Sequence, residues 1–176
     1  QVLTGDQTLA ICASHMQAAN TLKNNLVVST VMSNLGLGKA LGRLGIRHET
    51  TQVGDRYVVE KMRESGAVLG GEDSGHMVFL DQHTTGDGIL TALQLIRAMK
   101  DVSRPLSELS GIMDVFPQVL LNVRVREKID LETVPRIAEA IKSVEAALGD
   151  KGRVLVRYSG TQPLCRVMAE GPTPEE

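Results

Sequence analysis

Two glycine-bearing loops hold the residue types that could do chemistry in this chain of 176 residues. The first reads Gly70-Gly71-Glu72-Asp73-Ser74-Gly75-His76. Its glycines let the backbone turn tightly while a carboxylate, a hydroxyl and an imidazole converge on one small volume. A polyhydroxylated ligand suits that set. Glu72 accepts from a pair of hydroxyls, Ser74 donates or accepts, and His76 bonds a hydroxyl or moves a proton near neutral pH. With one histidine and no ligand spacing among its carboxylates, the loop is a poor zinc site. A polar hairpin turn would use the same residues, and the loop alone does not decide between the two.

The second loop, Arg157-Tyr158-Ser159-Gly160-Thr161-Gln162-Pro163-Leu164-Cys165-Arg166, lies where one strand pattern ends and another begins. Arg157 offers a bidentate fork, Ser159 and Thr161 offer hydroxyls, and Gly160 lets successive N–H groups face one concavity, with Arg166 close by in sequence. This is the make-up of a phosphate cradle. Between Lys151 and Arg166 there are four basic residues and no acidic one. A hairpin turn with solvated arginines is the competing reading, weaker because hydroxyls, glycine and arginine coincide. In a third segment, Val53-Gly54-Asp55-Arg56-Tyr57-Val58, Asp55 reads most simply as a helix N-cap and Arg56 as a first-turn residue that could also contact a sugar phosphate. No nucleophile–base pair, Walker loop or Rossmann glycine fingerprint is present.

The composition narrows what such loops can serve. Nineteen basic against 21 acidic residues leave a formal charge of −2, so no global field favours nucleic acid or an anionic membrane. Four aromatic residues and no Trp argue against base-stacking platforms. No apolar run reaches the ~20 residues of a membrane span. Cys12 and Cys165 lack zinc or disulfide spacing and fit a reducing cytoplasm. The sequence begins Gln1-Val2-Leu3-Thr4, which reads as a piece of a longer chain.

The elements that must hold the loops alternate. Leu9, Ala13 and Met16 recur at helical spacing between Asp6 and Ala19, and Leu26 to Met32 is a β-branched run typical of a buried strand. Ser33 and Asn34 cap a helix through Leu37, Ala40, Leu41 and Leu44 that Gly45 stops, and Ile46 to Val53 is a further strand. A helix from Asp55 to Arg63 ended by Gly66, short strands at 67–69 and 77–80, and a helix from Asp87 with Ile89, Leu93 and Ile96 on its inner stripe complete the first half. These predict an α/β layered domain with a mostly parallel sheet over 1–104 and a Pro- and Ser-rich linker over 105–117 that carries at most a short helix. A small α+β domain over 118–176 follows: a strand from Val119 to Val125, a helix capped by Thr133 and running to Leu148, and strands Arg153–Tyr158 and Leu164–Glu170. Thr173-Pro174-Glu175-Glu176 reads as the start of a further helix.

The two loops, in this order, resemble those of the α-D-phosphohexomutases, and specifically the bacterial phosphoglucosamine mutases. In that family a G-E-x-S-G-H loop of the third domain binds sugar hydroxyls, and an R-x-S-G-T-E-P-x-x-R loop of the fourth binds phosphate. Thr30-Val31-Met32-Ser33-Asn34, Val53 to Val58, Thr84-Thr85-Gly86-Asp87-Gly88 and Phe116-Pro117-Gln118-Val119 are similar too, so the resemblance spans nearly the whole chain. Asp73 stands where the family usually has Gln, and Gln162 where it has Glu.

The resemblance implies interconversion of glucosamine 6-phosphate and glucosamine 1-phosphate through a glucosamine 1,6-bisphosphate intermediate, for UDP-N-acetylglucosamine and cell-wall precursors. Mannose or glucose phosphates, and a non-catalytic sugar-phosphate module, are the alternatives. It implies that Glu72, Ser74, His76 and Arg56 bind the sugar, with His76 orienting a hydroxyl or transferring a proton. Arg157, Ser159, Gly160, Thr161 and Arg166 would hold the phosphate. The family's phosphoserine and its D-G-D-x-D-R magnesium loop belong to earlier domains, and neither motif occurs in these 176 residues. Mg2+ is therefore expected outside this sequence, with no metal site within it and no turnover by the chain alone. The expected partners are the sugar phosphate and the N-terminal domains, with a homodimer left open.

Overall fold

Residues Leu26–Thr30 form β1, and all five are buried. Side chains alternate between the faces of a strand, and here Val27 joins one apolar cluster while Leu26 and Val28 join another. Both faces of β1 are therefore covered, as a central parallel strand requires. The computed structural model describes residues 2–173 and divides into two compact units, 1–115 and 116–176. The helix start expected at Thr173-Pro174-Glu175-Glu176 falls largely on residues 174–176, outside those described.

In the first unit, β1 lies between β2 (Arg47–Thr51) and β3 (Leu69–Gly71), parallel to both, and β4 (Met77–Phe79) closes the sheet antiparallel to β3. α1 (Gly5–Ala18), α2 (Leu35–Arg43) and α4 (Gly88–Val102) pack on the Val27 side, and α3 (Asp55–Ser65) packs on the other through Val58 and Met62. This is the expected α/β layering with a mostly parallel sheet. α1 starts in a capping box: Gln7 N–H donates to Thr4 Oγ1 and Thr4 N–H to Gln7 Oε1, both at 3.1 Å. Asn34 caps α2, and Gly66 ends α3 in the left-handed conformation.

Three local readings change. The stripe Ile89, Leu93 and Ile96 is 77%, 58% and 52% exposed. α4 instead turns Leu90, Leu95, Thr91 and Ala98 inward, where the small Thr91 and Ala98 permit close approach to α1. The strand expected at 67–69 sits at Leu69–Gly71, because pairing with β1 and β4 draws Gly70 and Gly71 into the ladder. The linker stretch, read as holding at most a short helix, does carry the short α5 (Leu106–Leu109) and a 3-10 turn, but its Met113 is buried in the first unit's core. Gln7 Nε2 donates to Ser110 O at 3.2 Å in the same region.

The second unit is a three-stranded antiparallel sheet in the order β5 (Gln118–Arg124), β7 (Leu164–Glu170), β6 (Arg153–Tyr158), with α6 (Pro135–Leu148) packed on β6. Thr133 does not cap α6. It belongs to a 3-10 turn begun by Asp130, and the helix starts at Pro135 with Val134 before it, since proline suits a first helical position and needs no N–H partner there. β5 is exposed along its whole length. Among the described residues no helix is long and apolar enough to cross a membrane.

The start of α1 docks on the loop after β3. Gly5 N–H donates to Asp73 O at 3.1 Å, and Asp6 N–H to Asp73 Oδ1 at 3.3 Å. A Cβ at position 5 would collide with the carbonyl oxygens of Glu72 and Asp73. Asp6 is fully buried, and its Oδ2 accepts the Asn34 N–H at 2.6 Å. Burial pushes the Asp6 carboxyl up to about 7; the neighbouring Asp73 charge adds to this and the Asn34 N–H opposes it.

Two predictions follow from this packing. Leu41→Ala empties a fully buried position and is expected to cost about 2–5 kcal/mol in denaturant melts, whereas Leu93→Gln should change stability by at most about 0.5 kcal/mol. Asp6 holds its proton more tightly folded than unfolded, where its pKa is about 3.9. Its contribution to stability is therefore complete below about pH 4 and is lost as pH rises through about 7. Melts of Asp6→Asn across that range should lose this slope; an unchanged slope would refute the buried-acid assignment.

Candidate functional site

Because β1, β2 and β3 run in one direction, their carboxyl ends open on the same edge of the sheet, the edge where ligands bind in open α/β sheets. The segments leaving that edge are 31–34, 52–54 and 72–76. The last is a tight turn in which Glu72 N–H donates to His76 O at 3.0 Å and Gly75 N–H to Glu72 O at 2.9 Å. Gly75 has φ +95°, which favours glycine.

Within the turn, the three side chains predicted to converge do so. Ser74 Oγ lies 3.2 Å from His76 Nδ1, and Glu72 Oε2 lies 3.8 Å from the same nitrogen. Glu72 Oε1 accepts the Gly54 N–H at 2.9 Å, which ties the turn to the segment entering α3. Glu72's side chain is 12% exposed and His76's 66%, so a braced carboxylate sits beneath an open imidazole. Arg56 is not drawn in. Its Nε bonds Glu60 Oε1 at 2.8 Å on the exposed surface of α3. Asp55 is the first helical residue rather than the N-cap, a place taken by Gly54 at φ +133°.

The second loop joins β6 to β7. Ser159 is buried; its N–H donates to Leu164 O at 2.9 Å, and its Oγ accepts the Gln162 N–H at 3.3 Å. Arg157 and Arg166 face each other across the two strands, and among the described residues each has a buried Nε with no hydrogen-bond partner. Burial, with the neighbouring Arg166 charge, lowers the Arg157 pKa. Arg153, counted in sequence as part of the basic field, is instead paired with the buried Glu170. Gly160 has open space around its α-carbon and an ordinary φ. The loop therefore presents cationic donors, hydroxyls and backbone N–H groups, a set that can bind an oxyanion.

Sequence reasoning missed two contributors. One is Asp6, whose burial under the first loop no local pattern announces. The other is Lys128, whose Nζ donates to Ser159 O at 2.6 Å and Gly160 O at 3.4 Å. It lies in a charged stretch without periodicity, so no sequence signal pointed to it. His15 and His48, unassigned from sequence, bond Asp101 and Ser29, both at 2.8 Å. Cys12 and Cys165 are free and buried, and burial pushes the Cys12 thiol up to about 12, which makes it a poor nucleophile.

A divalent cation finds no fit here. Among the described residues no three His, Cys, Asp or Glu side chains are grouped to hold one. Asp87, the single acid of Gly86-Asp87-Gly88, caps α4 by accepting the N–H groups of Leu90 at 2.9 Å and Ile89 at 2.8 Å, bonds that hold its carboxyl below the usual range.

Comparison with known proteins places this geometry. Residues 4–116 match the phosphoglucomutase/phosphomannomutase alpha/beta/alpha domain III, and residues 120–176 match the C-terminal domain of the same proteins. The phosphoglucosamine mutase of Syntrophobacter fumaroxidans is 60% identical over 173 residues, 98% of this chain and 38% of the relative. That of Syntrophus aciditrophicus is 60% identical over 175 residues, 99% of this chain and 39% of the relative. The chain thus spans well under half the length of the curated relatives it matches. The crystal structure of Aspergillus fumigatus N-acetylphosphoglucosamine mutase in complex with GlcNAc-6P and magnesium superposes with a TM-score of 0.80 at 20% identity, covering 99% of this chain and 44% of that one. An N-acetylglucosamine-phosphate mutase in its product complex gives a TM-score of 0.78 at 19% identity, covering 98% and 41%. The chain belongs to the phosphoglucomutase/phosphomannomutase family, with the family's domain III followed by its C-terminal domain.

Proposed function

We propose that the chain supplies the sugar-binding and phosphate-binding parts of a phosphoglucosamine mutase, which interconverts glucosamine 6-phosphate and glucosamine 1-phosphate. The observation that carries this reading is the pair of loops, one built for hydroxyls and one for an oxyanion, in a chain 60% identical to phosphoglucosamine mutases. In the first loop Glu72 and Ser74 accept and donate to sugar hydroxyls, and His76 orients one of them. Arg56 would join them by leaving Glu60. In the second, Arg157, Arg166, Ser159, Thr161 and the Gly160 N–H grip the phosphate that is not reacting.

Phosphoryl transfer depends mainly on positioning and electrostatic stabilisation. A substrate presented first by one end and then by the other, through a bisphosphate intermediate, therefore needs both grips. The phosphoryl donor is assigned to a serine in the N-terminal domains of such enzymes. Magnesium is assigned there too, because among the described residues no acidic or histidine side chains are grouped to hold it. Two buried thiols without a disulfide are compatible with a cytoplasmic enzyme.

The binding reading is tested on the chain itself by calorimetry. Arg157→Ala is expected to weaken both glucosamine 6-phosphate and inorganic phosphate by about 10- to 100-fold. Glu72→Ala should weaken the sugar phosphate and leave inorganic phosphate unchanged. Equal losses of both ligands in both variants would contradict the division of labour. The purified chain is expected to show no mutase turnover at any concentration, and turnover proportional to its amount would refute placing the phosphoryl donor elsewhere. A panel of glucosamine, glucose and mannose phosphates with the full enzyme decides the substrate.

A further inference from the structure

We infer that Lys128 is a positioning residue of the phosphate loop, setting the direction of two backbone donors by holding the carbonyls behind them. In a trans peptide the C=O and N–H of one unit point in opposite directions, and among the described residues no peptide bond is cis. The carbonyls of Ser159 and Gly160 both accept from Lys128 Nζ, at 2.6 and 3.4 Å. The N–H groups sharing those peptide units, of Gly160 and Thr161, therefore face away from the lysine. Among the described residues neither finds an acceptor. Gly160 has no neighbouring atom where a side chain would stand, so a ligand oxygen can approach the loop backbone closely at that residue.

The same segment grips the far side of the loop. Val125 N–H donates to Pro163 O at 3.0 Å, one residue beyond the end of β5. The stretch from 125 to 128 thus pins the loop at both shoulders. Among the described residues Lys128 has no carboxylate partner, so its charge is spent on two carbonyl dipoles that would otherwise turn their negative ends toward the anion site. Arg157 and Arg166 reach the phosphate themselves; Lys128 acts through the backbone.

This inference rests on reading the loop as a phosphate site, and the experiment separates the two. The purified chain, labelled with 15N, is titrated with inorganic phosphate and with glucosamine 6-phosphate, in parallel with Lys128→Met, Lys128→Arg and Arg157→Ala. Lys128→Met is expected to shift the free-chain amide resonances of Gly160 and Thr161 and to weaken both ligands about tenfold. Lys128→Arg, which keeps charge and donors, should recover most of that loss, with thermal midpoints unchanged. If Lys128→Met binds like the parent chain while Arg157→Ala loses binding, the positioning role is overturned and the phosphate site stands. If Arg157→Ala binds like the parent, the phosphate reading falls and this inference with it. Failure of Lys128→Arg to recover affinity, with the fold intact, would also overturn it.

Discussion

Leu26, Val27 and Val28 are wholly out of solvent, and alternate side chains on one strand can be so only if a helix layer covers each face. That requirement on β1 organises the first unit. It places α1, α2 and α4 on one side and α3 on the other, and it sets β2 and β3 parallel beside it. Parallel strands deliver their next residues to a common edge. The 72–76 turn, the entry to α3 and the entry to α2 are neighbours for that reason, although 31–34 and 72–76 are far apart in sequence. Glu72 and Asp6 are the ties between them, through the N–H groups of Gly54 and Asn34.

The second unit handles its charges differently at its two ends. Arg153 is paired with the buried Glu170, whose Oε1 also accepts from Gln118 Nε2 at 3.3 Å. At the loop end Arg157 and Arg166 oppose each other, and among the described residues neither is paired with an acid. Like charges directly across a ladder destabilise it, and a buried N–H without an acceptor adds a further cost. An oxyanion seated at the loop would relieve both. The contrast within one small sheet, more than its count of basic residues, is what supports reading the loop end as the candidate oxyanion site.

The two loops were legible in the sequence because each carries its chemistry in consecutive residues. Glu72, Ser74 and His76 converge within one turn, and Arg157 and Arg166 end up as cross-strand partners through the hairpin that Ser159 and Gln162 form. The layered fold was legible from alternating periodicities. What escaped depends on contact through space. Lys128 meets its carbonyls 31 and 32 residues away, and Asp6 meets Asp73 across 67. The side of α4 that faces inward was misassigned because its apolar residues outnumber one face, and the closeness of α1 favours small Thr91 and Ala98 over Ile89 and Leu93. Arg56 shows the opposite limit: a motif match in sequence whose guanidinium the fold leaves on Glu60.

The strand order of the second unit has a bearing on how it is made. Of the three strands of this sheet β7 comes last in sequence and lies in the middle, so β5 and β6 are not neighbours and both wait for it. On a ribosome, β5 emerges with Val119, Leu121 and Val123 and no ladder partner until residues 164–170 have been delivered. Pairings between residues so distant along the chain form slowly and leave apolar edges uncovered meanwhile. The hairpin that sets Arg157 against Arg166 thus forms only once β7 has been delivered, after β5 has waited unpaired for the same strand.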